Sequence, residues 1–183
     1  YQDLLTERYV AVPPVNFQQA SDDAAESIAS PTNHNLSVPL TSFIGRGKEI
    51  DKLRQYLRTA RLITLTGPGG SGKTRLAIEV ARGLVETFPD GVWMIDLGAI
   101  TDPLIVVRSV ANTLKITEQP AQPLIDTLAS ALAGQSLLIV LDNCEHVLEV
   151  CADLANRLLA AAPNVRILAT SRERLHVDGE LVW

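Results

Sequence analysis

Hydrophobic residues from position 41 onward form short apolar runs that alternate with stretches in which they recur every three or four residues. The apolar runs predict strands at 61–66, 92–97, 137–142 and 165–170, and the beginning of a fifth at 180–183. The run LLIVLD at 137–142 is continuously apolar, which is typical of a strand covered on both faces. We therefore expect a parallel sheet joined by right-handed crossover helices.

The recurring apolar residues predict five amphipathic helices. The second is expected to begin near Lys73, the third at Asp102 and Pro103, and the fourth at Pro123, while the last should run from about 145 to 162. The side chains expected on the buried faces are, in chain order, Ile50, Leu53 and Leu57; Leu76, Ala77, Val80, Ala81, Leu84 and Val85; Leu104, Val107, Val110, Ala111 and Leu114; Leu124, Leu128 and Leu132; and Val147, Val150, Cys151, Leu154 and Leu158.

Three regions of the chain differ in composition and in the spacing of their hydrophobic residues. Residues 11–39 are rich in Pro, Ser, Asn, Ala and Gln and carry few large apolar residues, which predicts a flexible linker. Residues 1–10 have apolar positions at helical spacing and are interpreted as the end of an upstream domain. Residues 40–183 form the predicted α/β domain, so the chain is expected to be one part of a longer protein.

Composition narrows the classes of function. The 183 residues are 46% hydrophobic, enough for one sizeable core, and the net charge is −5 with 16 basic and 21 acidic side chains. This charge disfavours binding of a nucleic-acid backbone by this segment, so DNA contacts are expected only through other domains. No apolar stretch approaches the roughly 20 residues that span a bilayer, and no signal peptide is recognised. No membrane association and a cytoplasmic location are therefore expected.

The two cysteines, Cys144 and Cys151, lie seven residues apart in the last predicted helix. That spacing would separate them by two helical turns, which is too far for a disulfide. Two thiols and His146 also supply too few ligands for a structural zinc site. Both cysteines are expected to be buried and reduced.

The sequence GPGGSGKT at 67–74 joins the first strand to the second helix and fits the phosphate-binding pattern G-x-x-x-x-G-K-[ST]. Its glycines let the backbone turn its N–H groups inward, and the helix N-terminus adds partial positive charge, so a polyphosphate is bound mostly by main chain. Lys73 is expected to contact the β- and γ-phosphates, and Thr74 to offer a hydroxyl to Mg²⁺. The alternative is a glycine-rich turn without a ligand, but the strand before and helix after it favour nucleotide binding.

Asp142 ends the run at 137–142, at the carboxyl end of a strand, where parallel sheets place functional residues. Two roles are compatible with this position: a ligand for the Mg²⁺ ion that bridges nucleotide phosphates near Thr74, or the N-cap of the helix that follows. The phosphate loop upstream favours the metal role. ATP or ADP with Mg²⁺ is therefore the expected ligand.

Asn143 occupies the position at which vigorous P-loop ATPases commonly carry a glutamate that orients the attacking water. An amide cannot act as a base, so fast hydrolysis is not expected, and replacing Asn143 with glutamate is expected to raise turnover. Glu145 is a second candidate for that carboxylate, but its direction does not follow from the sequence.

Two arginines have more than one interpretation. Arg172 follows the strand at 165–170, where its side chain either reaches the γ-phosphate or forms a surface ion pair with a neighbour such as Glu173. Arg46 in FIGRGKE precedes the first helix, and its spacing alone favours an ordinary loop before a helix.

The motifs FIGR, LTGPGGSGKTRLA, LLIVLDNCEH and ILATSRE, in this order and at these distances, resemble the nucleotide-binding domain of STAND-class regulatory ATPases, the NB-ARC group. The likeness covers roughly residues 40–183 and extends to bacterial LuxR-type and antibiotic-regulatory transcriptional regulators. It implies a P-loop NTPase fold with five parallel strands in the order 5-1-4-3-2, flanked by helices. It also implies that helical-lid and winged-helix subdomains follow the fifth strand.

The resemblance assigns roles residue by residue. It implies that Lys73, Asp142 and Arg172 are the catalytic residues, that Thr74 and Asp142 hold Mg²⁺, and that Arg46 lies against the adenine side of the pocket. The implied nucleotide-binding set is Arg46, Gly67, Pro68, Gly69, Gly70, Ser71, Gly72, Lys73, Thr74 and Arg75.

Three functions are then to be separated. The resemblance implies a switch in a signal-transducing transcriptional regulator, with ADP in the resting state, exchange for ATP, slow Mg²⁺-dependent hydrolysis and self-association on activation. The first alternative is an ordinary ATPase that couples hydrolysis to mechanical or loading work, and the second is an interaction module with a vestigial site. Asn143 and the lack of an identifiable arginine finger in this sequence favour the switch, whereas intact Lys73, Thr74 and Asp142 disfavour a vestigial site.

Overall fold

A five-stranded sheet forms the centre of the computed structural model, which describes residues 33–37 and 45–183. All hydrogen-bonded neighbours run parallel, in the order β2-β3-β4-β1-β5. The predicted α/β fold and strand order are thereby confirmed, whereas the predicted element at 1–10 and most of the predicted linker at 11–39 lie outside the described residues. The strands are β1 at Leu62–Thr66, β2 at Val92–Asp96, β3 at Leu138–Asp142, β4 at Arg166–Ser171 and β5 at Glu180–Val182.

Helices cover both faces of this sheet. Two of them contribute to one apolar core and three to the other, while the side chains of β3 alternate between the two cores. None of the helices in the described ranges is long and apolar enough to cross a membrane. The first pair is α1 at Gly47–Tyr56 and α2 at Lys73–Arg82, and the opposite face carries α3 at Pro103–Thr113, α4 at Leu124–Leu132 and α5 at Leu148–Ala161.

The predicted buried faces agree with the structure except in α3. Leu104, predicted to face inward, is 82% exposed, and Val106, which was not predicted, is fully buried. The packed face of α3 is centred on Val106 and Val110, four residues apart, so Leu104 in the first turn lies at its margin and lines an open groove with Leu124.

The last helix begins later than predicted. Asn143 has φ +62°, a left-handed backbone conformation that ends β3, and a 3₁₀ helix at Cys144–His146 separates it from α5. Cys144 therefore lies outside α5, and the expectation that two helical turns separate the thiols was wrong. A hydrogen bond with Cys151, together with burial, raises the pKa of the Cys144 thiol well above its usual value. Both cysteines are free and buried, as predicted.

Residues 33–37, which fall inside the predicted linker, lie along the outer edge of β2. His34 pairs with Val92, and the Asn35 side-chain amide exchanges two hydrogen bonds with the backbone of Met94, at 2.6 and 2.8 Å. Leu36 is buried against the core. This segment covers an edge strand whose backbone groups would otherwise be open to another chain.

Candidate phosphate-binding site

The loop GPGGSGKT leaves β1 and enters α2, at the carboxyl edge of the sheet. Gly70 and Gly72 have φ values of +75° and +84°, which residues with a Cβ rarely adopt, so these two glycines are required by the shape of the loop. The Lys73 ammonium donates to the carbonyl oxygens of Gly67 at 2.8 Å and Pro68 at 3.0 Å. Lys73 is thus held over the loop by acceptors that phosphate oxygens can replace.

Asp142 lies beneath this loop and is 2% exposed. Its Oδ1 accepts hydrogen bonds from Thr74 Oγ1 at 2.9 Å and from Thr170 Oγ1 at 2.5 Å. Three elements, α2, β3 and β4, therefore bring two hydroxyls to one buried carboxylate. Asp142 does not cap α5, because the residue at that N-cap is Val147, so the capping alternative is excluded.

The oxygens of Thr74 and Asp142 fit a divalent cation of the hard, oxygen-preferring kind. No three His, Cys, Asp or Glu side chains converge on a metal site within residues 33–37 and 45–183. A site with one carboxylate and one hydroxyl suits Mg²⁺ that takes its other ligands from nucleotide phosphates and water. The donor set is therefore compatible with a Mg²⁺–nucleotide complex and not with a cage made of protein alone.

Asn143 links the carboxyl ends of β2, β3 and β4 by hydrogen bonds. Its backbone N–H donates to Thr170 Oγ1 at 3.0 Å, and its Nδ2 donates to Asp96 Oδ1 at 3.2 Å and to Asp142 Oδ2 at 3.3 Å. The Gly98 N–H also donates to Asp96 Oδ1, at 2.9 Å. A glutamate at position 143 would bring a third carboxylate to Asp96 and Asp142, so the expected outcome of Asn143→Glu changes from faster turnover to lower stability.

Arg172 forms an ion pair, but its partner is Glu145 instead of Glu173. Arg172 Nε lies 3.3 Å from Glu145 Oε1, and the arginine side chain is 68% exposed. A Cβ placed on Gly69 would be 3.9 Å from Arg172 Nη2, so the guanidinium lies beside the phosphate loop. The ion-pair interpretation is therefore confirmed with a different partner, whereas contact of Arg172 with the γ-phosphate stays a prediction. The ion pair also shows that Glu145 points to the same edge of the sheet.

Arg46 precedes α1, as its spacing suggested, and its side chain also contacts the loop. Its backbone is left-handed with φ +56°, its Nη2 donates to the Ser71 carbonyl oxygen at 3.2 Å, and its Nε lies 3.6 Å from Glu49 Oε2. Arg75, in the first turn of α2, is partly buried.

A cavity of about 320 Å³, within the usual size of small-molecule sites, opens beside Arg46 and Lys73. It combines apolar walls with charged groups, as a site for a base and ribose next to a phosphate loop would require. Its lining consists of Arg46, Glu49, Leu65, Thr66, Gly67, Pro68, Ser71, Lys73, Leu76 and Trp183.

Sequence reasoning did not assign roles to several residues of this edge. Asp96 lies opposite Asp142 in the β2–β3 register, and the rule that picked out Asp142 at a strand end would have found it. The His146 ring Nε2 contacts the carbonyl oxygens of Leu97 and Ile100, at 3.0 and 2.7 Å, and holds the loop after β2. Trp183 could not be found, because its place in the cavity depends on the pairing of β5 with β1.

Three relatives each match more than two thirds of this chain. The uncharacterized protein Rv0894 of Mycobacterium tuberculosis is 41% identical over 150 residues, covering 82% of this chain and 38% of the relative. A candidate HTH-type transcriptional regulator of the same organism, Rv0890c, is 43% identical over 131 residues, covering 72% of this chain and 15% of the relative. The regulatory protein AfsR of Streptomyces griseus is 31% identical over 153 residues, covering 76% of this chain and 15% of AfsR. The chain therefore spans less than half the length of these relatives.

Solved structures share the fold. A STAND protein with a tetratricopeptide repeat sensor from Pyrococcus horikoshii superposes with a TM-score of 0.56 at 15% identity, covering 84% of this chain and 24% of that one. The ORC2 protein of Aeropyrum pernix gives a TM-score of 0.56 at 16% identity, covering 76% and 43%. Residues 54–175 also match a family model described as an AAA domain. Because that match covers more than half of a chain with this fold and phosphate loop, the chain belongs to the AAA-domain family of P-loop ATPases.

Proposed function

We propose that this chain is an ATP- and ADP-binding switch module of a signal-transducing transcriptional regulator, of the NB-ARC type found in LuxR-type and antibiotic-regulatory proteins. Slow Mg²⁺-dependent hydrolysis then controls the conformation and self-association of the protein. The observation that carries the proposal is the buried Asp142 carboxylate, hydrogen-bonded to Thr74 and Thr170 directly beneath the phosphate loop.

Different residues at this edge of the sheet bind the phosphates, the metal ion and the base of the nucleotide. Backbone N–H groups of the loop at 67–74 and the Lys73 ammonium bind the phosphates, while Thr74 and Asp142 hold Mg²⁺. When bound, Mg²⁺ neutralises charge that develops on the phosphates. In this proposal Arg172, whose guanidinium lies beside the loop, contacts the terminal phosphate, and Arg46, which lines the cavity, lies against the base.

Two observations favour a regulator over an ordinary ATPase that does mechanical or loading work. The amide of Asn143 stands where a vigorous ATPase carries a base, and it is tied to Asp96 and Asp142. Relatives at 43% and 31% identity are named for transcriptional regulation. We infer that DNA contacts belong to other domains of the full protein and that the protein is cytoplasmic. The domain includes residues 33–37, which pack on β2, so the proposed linker lies before residue 33.

The binding site is tested by calorimetric titration of ATP and ADP into the full-length protein, with Mg²⁺ and with EDTA. Lys73→Ala is expected to weaken binding of both nucleotides by at least about tenfold, since a charged hydrogen bond contributes about 1.5–3 kcal/mol. Asp142→Ala is expected to weaken binding mainly when Mg²⁺ is present and so to reduce the difference between Mg²⁺ and EDTA, because the carboxylate ligand of the metal is lost.

Arg108→Ala and Asp153→Ala serve as matched controls, since both side chains are more than half exposed and lie on the opposite face of the sheet from α2. Both are expected to bind like the wild type. Binding by Lys73→Ala that equals the wild type would contradict the proposed site.

A further inference from the structure

Glu145 lies in the 3₁₀ helix between β3 and α5, three residues after Asp142 and at the same edge of the sheet as the phosphate loop. Its Oε1 forms the ion pair with Arg172. Its Oε2 is buried and has no hydrogen-bond partner within the described residues. A buried carboxylate oxygen without a donor is costly, so a donor that reached this oxygen would be bound favourably.

Arg172 connects this carboxylate to the phosphate loop. The arginine side chain is 68% exposed and that of Glu145 only 23%, so the arginine has room to turn while the glutamate is held by its surroundings. The Nη2 atom already lies beside Gly69. A short movement would exchange the glutamate for a phosphate oxygen as the partner of the guanidinium.

Two other carboxylates at this edge, Asp142 and Asp96, differ from Glu145: Asp142 is buried and hydrogen-bonded, and Asp96 is exposed to solvent. Asp142 accepts from Thr74 and Thr170, and Asp96 accepts from Gly98 and Asn143. Asn143 itself is an amide and cannot take a proton from water. Glu145 therefore carries the one buried carboxylate oxygen among the described residues that no described donor satisfies.

We propose that Glu145 is the carboxylate that accepts a proton from the attacking water, and that its ion pair with Arg172 holds it inactive until the terminal phosphate of ATP takes the guanidinium. This inference rests on the nucleotide-binding function proposed above. The water oxygen bonds to the γ-phosphorus, the bond from that phosphorus to the β–γ bridging oxygen breaks, and ADP leaves with that oxygen and its electron pair. One water proton passes to Glu145 and then to solvent, and the other stays on the released phosphate.

Glu145 and the terminal phosphate of ATP compete for the Arg172 guanidinium, and this competition affects the affinity for nucleotide. ATP must displace Glu145 from Arg172, whereas ADP, which lacks the terminal phosphate, leaves the ion pair in place. Removing the charge of Glu145 should therefore favour ATP over ADP while it slows hydrolysis. A surface ion pair with no role in the reaction would change neither quantity.

The test compares Glu145→Gln, Arg172→Gln and the double variant in the full-length protein. Glu149→Gln is the matched control, because Glu149 is an exposed acid in the first turn of α5. Dissociation constants for ATP and ADP are measured by calorimetry with Mg²⁺, and hydrolysis is followed in single turnovers. Glu145→Gln is expected to raise the preference for ATP by about threefold or more and to slow hydrolysis at least about tenfold, the low end for loss of a general base. In the Arg172→Gln background, Glu145→Gln is expected to leave the ATP-to-ADP preference unchanged.

A Glu145→Gln variant that matches Glu149→Gln in either readout would overturn the inference. If Lys73→Ala still loses nucleotide in that case, the proposed binding function stands without it. If the wild-type protein binds no nucleotide, or Lys73→Ala binds as well as the wild type, both the binding function and the role of Glu145 are contradicted.

Discussion

Asn143 shows at the residue scale how a side chain's direction changes its chemistry. Its identity indicates that a base is missing from the expected position. Its geometry adds that the amide ties Asp96 to Asp142 and that the backbone is left-handed, a conformation that asparagine tolerates better than most residues. Asn143 therefore orients Asp142, the proposed metal ligand, and Glu145 is the candidate for the carboxylate that the sequence lacks at position 143.

Asn143→Glu is expected to destabilise the protein by about 1–3 kcal/mol, because the amide's hydrogen bonds are lost and a third carboxylate enters the cluster. Urea unfolding measures the change, with Asn143→Gly as the control that keeps the left-handed backbone while losing the amide. The glycine variant should lose less stability than the glutamate variant. Wild-type stability together with faster hydrolysis in Asn143→Glu would restore the simpler interpretation from sequence.

The positions of single residues were more predictable than their partners. Asp142 and Arg172 were expected at the carboxyl edge because apolar runs mark where strands end. The partner of Arg172 was not predicted, since the turn after β3 depends on a left-handed residue at Asn143 that no periodicity reveals.

At the scale of elements, α3 is where periodicity and packing diverge. The apolar run LIVV at 104–107 places apolar side chains on every side of its first turn, so several faces compete for the core. Only contacts with α4, α5 and β2 select the face centred on Val106 and Val110. The strands were easier to predict, because the bounds of a short apolar run between polar residues fix which residues of the strand enter the core.

Val106→Ala is expected to cost about 2 kcal/mol of unfolding free energy, since it removes two buried methylene equivalents at ~0.8 kcal/mol each and leaves a cavity. Leu104→Ala removes more atoms from an exposed side chain and is expected to change stability by less than about 0.5 kcal/mol. Chemical denaturation of the two variants side by side measures both. A larger loss for Leu104→Ala would show that the sequence-based assignment of the α3 face was right.

At the scale of the whole molecule, the fold follows from alternating strands and helices, but the strand order came from family resemblance. Local pattern cannot determine which strands become neighbours, because that depends on crossovers between distant segments. The site joins residues 46 to 183 through that order: β1 beside β4 brings the phosphate loop to Arg172, and β5 beside β1 brings Trp183 to the cavity. The phosphate-binding part of the site could therefore be predicted from the loop motif and the strand ends. The residues that line the cavity, such as Trp183, could not.

The central claim, that this domain is a nucleotide switch and not a working motor, is tested most directly on the purified full-length protein. The nucleotide that co-purifies is identified after denaturation, and turnover of added ATP is followed with Mg²⁺. We predict bound ADP and turnover slower than about one per minute, well below the rate of roughly 10 per second typical of enzymes. Turnover of several per second would contradict the claim.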